Sequence, residues 1–169
     1  MWLLVFAGIV FLVGFVAFTG APYVPSRRTD VKRLFTQLYP LTADDVVVDI
    51  GSGDGVVLRV VSRLGARAVG YEIHPILVVV SRLLSRGDMN VEVRLANFWR
   101  KPLPDETTVV YTFGEARDIA KMYARVQQEA TRLERTLTFI SYAFTIPNIT
   151  PDATDKSYFL YKVKPLQES

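Results

Sequence analysis

"VVVDIGSGDGVV", Val46 to Val57, is the stretch that decides the fold. Three valines, an aspartate and an isoleucine run into glycines at alternate positions, Gly51, Gly53 and Gly55. The apolar run has the length of a strand buried on both faces. Glycines at such spacing serve a tight turn from strand into helix, or a backbone that comes close to a ligand.

On either side the pattern alternates. "TDVKRLFTQLY" carries Val31, Leu34, Phe35 and Leu38 on one helical stripe, with Thr29 or Asp30 as the expected cap and Pro40 as the stop. After the strand at 46–50 the sequence predicts a helix over 56–64, with Gly65 past its end, and a strand over 68–72. A helix follows from Pro75, suited to the first helical position, to Ser85. Strands are expected at 91–95, 108–112, 136–144 and 158–163, with a long helix over 115–133. Strand and helix alternating on short links predict an α/β fold, a doubly wound and mostly parallel sheet. "NFWRKPLPDET" between the third and fourth strands is too short for a crossover helix, and "TIPNITPDATDK" between Phe144 and Tyr158 offers no strand.

A chain of 169 residues with an apolar front leaves room for one domain of about 140 residues. Half the residues are hydrophobic, which excludes disorder. With no cysteine, disulfides and thiolate metal sites are excluded. A single histidine argues against a His-rich metal centre and against a Ser-His-Asp hydrolase, so no metal is expected. The net charge of +3 suits a membrane surface at least as well as nucleic acid, and no basic run with interleaved aromatics favours the latter.

From Trp2 to Phe18 the chain has no charged residue, and the first charge is Arg27. Seventeen helical residues span about 25 Å, and Thr19–Ala21 extend this toward the thickness of a bilayer core. No basic residue precedes the run, as a cleaved signal peptide would require, whereas Arg27, Arg28, Lys32 and Arg33 follow it. The expectation is a retained single-pass transmembrane helix over residues 1–21, with the following domain on the cytoplasmic side of the membrane. Residues 22–40 then form a connector and helix, and 41–169 the ligand-binding domain.

In sheets of this kind ligands sit at the carboxyl ends of the strands, beside the first one. The glycine loop lies there, and an acid, Glu72, ends the next strand about 20 residues on, where it can accept ribose hydroxyls. Dinucleotide sites use G-x-G-x-x-G to set a pyrophosphate on a helix N-terminus. Here the spacing is G-x-G-x-G, with Asp49 before it and Asp54 inside it. Two carboxylates repel a diphosphate and suit a nucleoside with a cationic centre, S-adenosylmethionine.

"VVVDIGSGDG" followed by "AVGYEIHP" resembles the first two motifs of class I S-adenosylmethionine-dependent methyltransferases, a Rossmann-like fold. The apolar front, "PYVPS", "DIGSGDG", "GYEIHPILV" and "NFW" in this order resemble the membrane-anchored protein-lysine N-methyltransferases of the FAM173 family. The resemblance implies that Asp49, Gly51 and Gly53, with Asp54 and Gly55, line the methionine part of the cofactor. It implies that Glu72 holds the ribose, Ile73 packs on the adenine, and Asn97 and Phe98 complete the cofactor set. Asn97 stands where the family usually has an acid facing the adenine amine.

His74, ahead of Pro75, is expected to cap a helix or line the adenine pocket. Phe98 and Trp99 are read either as pocket wall or as core. Tyr23, Tyr111 and Glu115 are the catalytic candidates: Tyr23 folds over the site or marks the membrane interface, and Tyr111 and Glu115 stand where substrate enters. No catalytic base is assigned. "YTFGE" occupies the place of the N/D-P-P-Y/F motif of DNA and glutamine amino-methyltransferases, so a nucleic-acid partner is not expected. The function that follows is methyl transfer to a lysine of a membrane protein near the cytoplasmic face. The alternatives are a lipid-soluble small acceptor, such as a phospholipid amine or quinone-type headgroup, and a module that binds S-adenosylmethionine without transferring methyl.

Overall fold

The computed structural model describes residues 26–114 and 116–166. The expected transmembrane segment, Tyr23 and Glu115 lie outside the described residues. Among the described residues no helix is long and apolar enough to cross a membrane.

The stretch Val46–Ile50 forms β1, buried at all five positions. It sits near the middle of a mixed sheet that, among the described residues, has seven strands in the order β3-β2-β1-β4-β5-β7-β6. The others are β2 (Arg67–Glu72), β3 (Val91–Leu95), β4 (Val109–Thr112), β5 (Leu137–Tyr142), β6 (Ala153–Asp155) and β7 (Tyr158–Val163). β1 pairs in parallel with β2 and β4, β2 with β3, and β4 with β5. The order reverses on either side of β1, so a cleft opens at its carboxyl end.

Among the described residues four α-helices cover the sheet: α1 (Arg28–Arg33), α2 (Val56–Arg63), α3 (Pro75–Leu84) and α4 (Ile119–Arg132). α1, α2 and Val78 of α3 share one core with Val47, Ala68, Tyr111 and Ile140. Ile119, Val126 and Ala130 of α4 pack on the opposite face, with Val46, Val48 and Phe139. The alternation along β1 is the period-two pattern of a strand. It turns Val47 to one core and Val46 and Val48 to the other.

α1 continues into a π-helical turn, Leu34–Leu38, and Tyr39 leaves it with φ −132° and ψ 84°, outside the α region that the following Pro40 disfavours. Val31, Leu34 and Phe35 are at most 1% exposed, so this helix belongs to the main core. The expected cap is not found. The helix starts at Arg28 with Arg27 as N-cap and no side-chain cap bond, and Asp30 falls inside the first turn. The long helix starts later than its sequence pattern suggested, at Ile119 with Asp118 as N-cap.

The expected gap between Phe144 and Tyr158 holds a strand instead. β6 pairs antiparallel with β7, Ala153 opposite Leu160 and Asp155 opposite Tyr158, which completes the terminal hairpin. "ATD" has no apolar run to announce it. Its stability comes from β7 and from Arg33, whose Nε donates to Asp155 Oδ2 at 2.8 Å.

Candidate active site

Beyond Ile50 the chain turns through glycines in the left-handed region, with φ of +75° at Gly51, +54° at Gly53 and +80° at Gly55. The loop is folded back over β2. The amides of Gly51 and Ser52 both donate to Tyr71 O, at 2.8 and 3.2 Å. Two close approaches pin it. A Cβ on Gly55 would collide with Ser81 Oγ on α3, and one on Gly70 would meet Ser52 Oγ at 2.5 Å. Gly51 differs: a Cβ there would meet nothing within 4 Å, so the loop faces open space at that point.

Glu72, at the end of β2, is 6% exposed and clasps this loop. Its Oε2 accepts from the Gly53 amide at 2.9 Å and its Oε1 from the His74 amide at 2.8 Å. The carboxylate therefore fixes both turns that frame the cleft. Each oxygen keeps a further lone pair.

Asp49 lies between Gly70 and Tyr111 in the sheet register and is 3% exposed. No described amide or side chain donates to its carboxylate. Burial, with Glu72 and Asp54 nearby, pushes its pKa up to about 8. Asp54 has a partner of its own, the Arg59 guanidinium at 3.5 Å, and Arg59 also donates to Asp54 O at 2.5 Å. The pocket thus has a surplus of negative charge at one point, and a cation is what it lacks.

The other expected cofactor residues divide. Ile73 is 64% exposed at the mouth of the cleft. Asn97 is exposed, and its Oδ1 accepts from the Trp99 amide at 2.9 Å, holding the turn after β3. Phe98 is buried in the core on the α4 side, its ring 5.3 Å from that of half-exposed Trp99. His74 occupies the N-cap position of α3 but makes no side-chain cap bond; its backbone amide, held by Glu72, is what orders the turn.

Tyr111 is 1% exposed, and burial, Tyr158 and Asp49 hold its pKa well above the usual phenol value. It opens a run of rings that the sequence reading did not single out beyond Tyr111. Tyr111 neighbours Tyr158 at 6.4 Å, Tyr158 neighbours Tyr142 at 4.9 Å, and Tyr142 stacks on Phe113 at 4.9 Å. These rings come from the carboxyl ends of β4 and β5 and the start of β7. The signal available in the sequence was an aromatic at each predicted strand end, "YTF", "SYAF" and "SYF". Tyr111 and Tyr158 are buried in the main core at 1% and 2% exposure, while Phe113, 38% exposed, and partly buried Tyr142 reach the surface beyond β4 and β5. Their electron-rich faces suit an amine-bearing chain.

A sequence profile of the ANTKMT methyltransferase domain matches residues 49–153, from Asp49 at the end of β1 to Ala153 of β6. The chain belongs to this family. The resemblance drawn from the motifs therefore holds. The ATP synthase C-subunit lysine N-methyltransferase of Xenopus laevis is 34% identical over 134 residues, 78% of this chain and 57% of that protein. The human protein of the same name is 28% identical over 134 residues, 78% of this chain and 55% of that protein. The chain thus spans little more than half the length of these relatives. Among solved structures, an RNA methyltransferase from Salinibacter ruber in complex with S-adenosyl-L-homocysteine superposes with a TM-score of 0.75. That match covers 86% of this chain and 97% of the other at 24% identity, and establishes the shared fold.

Proposed function

We propose that this member of the family binds S-adenosylmethionine between the glycine loop and Glu72 and methylates a lysine amine of a membrane protein. The observation that carries the reading is the family match, which takes in the loop, Glu72, Tyr111, Phe113 and Tyr142 together. The names of the relatives supply the acceptor class: both are lysine N-methyltransferases of one component of ATP synthase. In this reading Trp2–Phe18 anchors the chain, and the basic residues after it hold the domain on the cytoplasmic face.

The residues present fit the cofactor. Glu72 offers its free lone pairs to the ribose hydroxyls, Asp49 its unpartnered carboxylate to the ammonium of the amino-acid end, and Ile73 an exposed aliphatic surface to the adenine. Asn97 spends its oxygen on the Trp99 amide, so its NH₂ is the group left to face the base, a donor for a ring nitrogen. S-adenosylmethionine supplies an electrophilic methyl on a sulfonium. The protein's part is to hold a neutral amine in line with it, about 3–3.5 Å away.

Tyr111 and Tyr158 cannot serve as bases. Burial holds Tyr111 well above the phenol range, and burial with Asp30 nearby raises Tyr158 to about 12, so both keep their protons. They back the more exposed rings of Tyr142 and Phe113. The lysine sheds its proton to solvent as it is desolvated beside Phe113 and Tyr142, because burial disfavours the ammonium.

Mass spectrometry of membrane proteins and lipids, from cells with and without the protein, tests the reading. A lysine heavier by methylene units in the presence of the protein supports it. A lipid or quinone gaining that mass instead would assign a small acceptor. No added mass anywhere, in a protein that still binds S-adenosylmethionine, would leave a binding module.

A further inference from the structure

α3 is built inside out. A helix on the surface of a sheet normally turns its apolar stripe to the core and its polar side chains to water. Here Ser81 and, at the C-cap, Ser85 are buried against the sheet, their hydroxyls without hydrogen-bond partners. Ile76, Val79, Leu83 and Leu84 stand outward, exposed by 41 to 66%. Leu95 at the end of the neighbouring edge strand β3 is 56% exposed and joins them. Ser81 has a local reason to be small, since the glycine loop passes against it at Gly55. Among the described residues nothing covers the aliphatic outer face.

These five side chains expose on the order of 450 Å² of apolar surface, the size of the largest patch on a typical monomer, and such patches often mark interaction sites. That is about half of the ~800 Å² per partner in a standard protein interface. The charge around the face is positive. Residues 75–101 hold five basic side chains and two acidic ones, and α3 has no acid. Of the two acids, Glu92 is already paired with Arg94 and Arg67. Arg82 bends across to β3, donating twice to Val93 O, and Arg86 is exposed just past the helix end. An apolar strip with basic side chains at its margin matches the acyl and headgroup layers of an anionic bilayer.

We infer that the outer face of α3, with Leu95, lies in the interfacial layer of an anionic lipid membrane. The described chain begins at Ser26, beside Tyr111 of β4. The cleft mouth, which opens at the first turn of α3, is then held at headgroup depth. The inference does not depend on which acceptor is methylated.

The chain has no cysteine, so single cysteines can be placed in the full protein. Val79→Cys and Leu83→Cys on α3, and Ala124→Cys on the exposed side of α4, are labelled with the fluorophore NBD. The full chains are reconstituted in vesicles of phosphatidylcholine with phosphatidylglycerol. The expected result is blue-shifted emission at Val79 and Leu83, quenched about threefold or more by doxyl-labelled lipid, with Ala124 unshifted and unquenched. Emission at both α3 positions matching that at Ala124 would place the face in water and overturn the inference. A blue shift that doxyl lipid does not quench would show the face covered by protein, a second copy or residues 1–25, and would overturn it equally. Either failure leaves the lysine reading standing.

Discussion

The end of β1 and the middle of α4 each bury a carboxylate, Asp49 at 3% exposure and Glu129 at 2%. Their surroundings are opposite. Glu129 accepts from Arg132 Nε at 2.8 Å and from the Leu103 amide at 3.1 Å, and pairs with Arg125 at 2.8 Å. It binds α4 to the long β3–β4 connection, and every charge there has a protein partner. Asp49 has no donor among the described residues and looks toward Glu72 and Asp54, which, with burial, push its pKa up to about 8. One acid is satisfied by the fold. The other has no partner in it, and in the proposed reading the ammonium of the cofactor is that partner.

The contrast breaks most visibly at Glu129. Glu129→Ala strands two arginines and a buried amide, and should cost about 3 kcal/mol of stability in urea unfolding. A loss below about 1 kcal/mol would mean the network is ornamental and the distinction from Asp49 unfounded. Glu72 lies between the two extremes, holding two amides and also facing the cleft. Glu72→Ala should lower stability by about 2 kcal/mol, because the Gly53 and His74 amides lose their acceptor. Calorimetry should also show S-adenosylmethionine affinity falling by about tenfold or more. Loss of stability with unchanged affinity would make Glu72 a strut only. The smallest effect is expected on α3. Leu83→Ser should change stability by less than about 0.5 kcal/mol, since the side chain is 66% exposed. A larger loss would show that the outward face packs on something within the chain.

The functional half of this account was legible in the sequence. β1 at 46–50, β3 at 91–95 and β7 at 158–163 were placed residue for residue: uniform burial writes β1 as a continuous apolar run, and β-branched or aromatic residues mark the two others. Gly51, Gly53 and Gly55 read directly as left-handed turns, and Glu72 as the acid ending β2. What was not legible is set by partners far along the chain. β6 is three residues whose strand state depends on β7 and on Arg33, 122 positions away. Glu129 sits among polar residues in "VQQEATR" and reads as solvated, since nothing local tells of Arg132 folding over it or of Leu103 arriving at its other side. "PILVVVSRLL" is apolar enough to predict a buried helix, and only the tertiary structure shows that its aliphatic side faces out.

The central claim is that Asp49 is held protonated near neutral pH until the cation of the cofactor replaces the missing partner. Because its pKa rises from the ordinary carboxylate range to about 8 on folding, ionising it opposes folding. Its contribution to stability falls as pH rises from about 4 to about 8. Asp49→Asn should therefore unfold at a higher temperature than the wild type at pH 8, the difference vanishing toward pH 4. Binding of S-adenosylmethionine favours the ionised form, so below pH 8 it should expel a proton, and affinity should climb with pH and level off near 8. Calorimetric titration at pH 6.5 to 7, in two buffers of different ionisation enthalpy, reads that proton directly. The account predicts release approaching one proton per cofactor bound in the wild type and none in Asp49→Asn. Equal heats in the two buffers for the wild type would mean that Asp49 is already ionised in the free protein, and would contradict the claim.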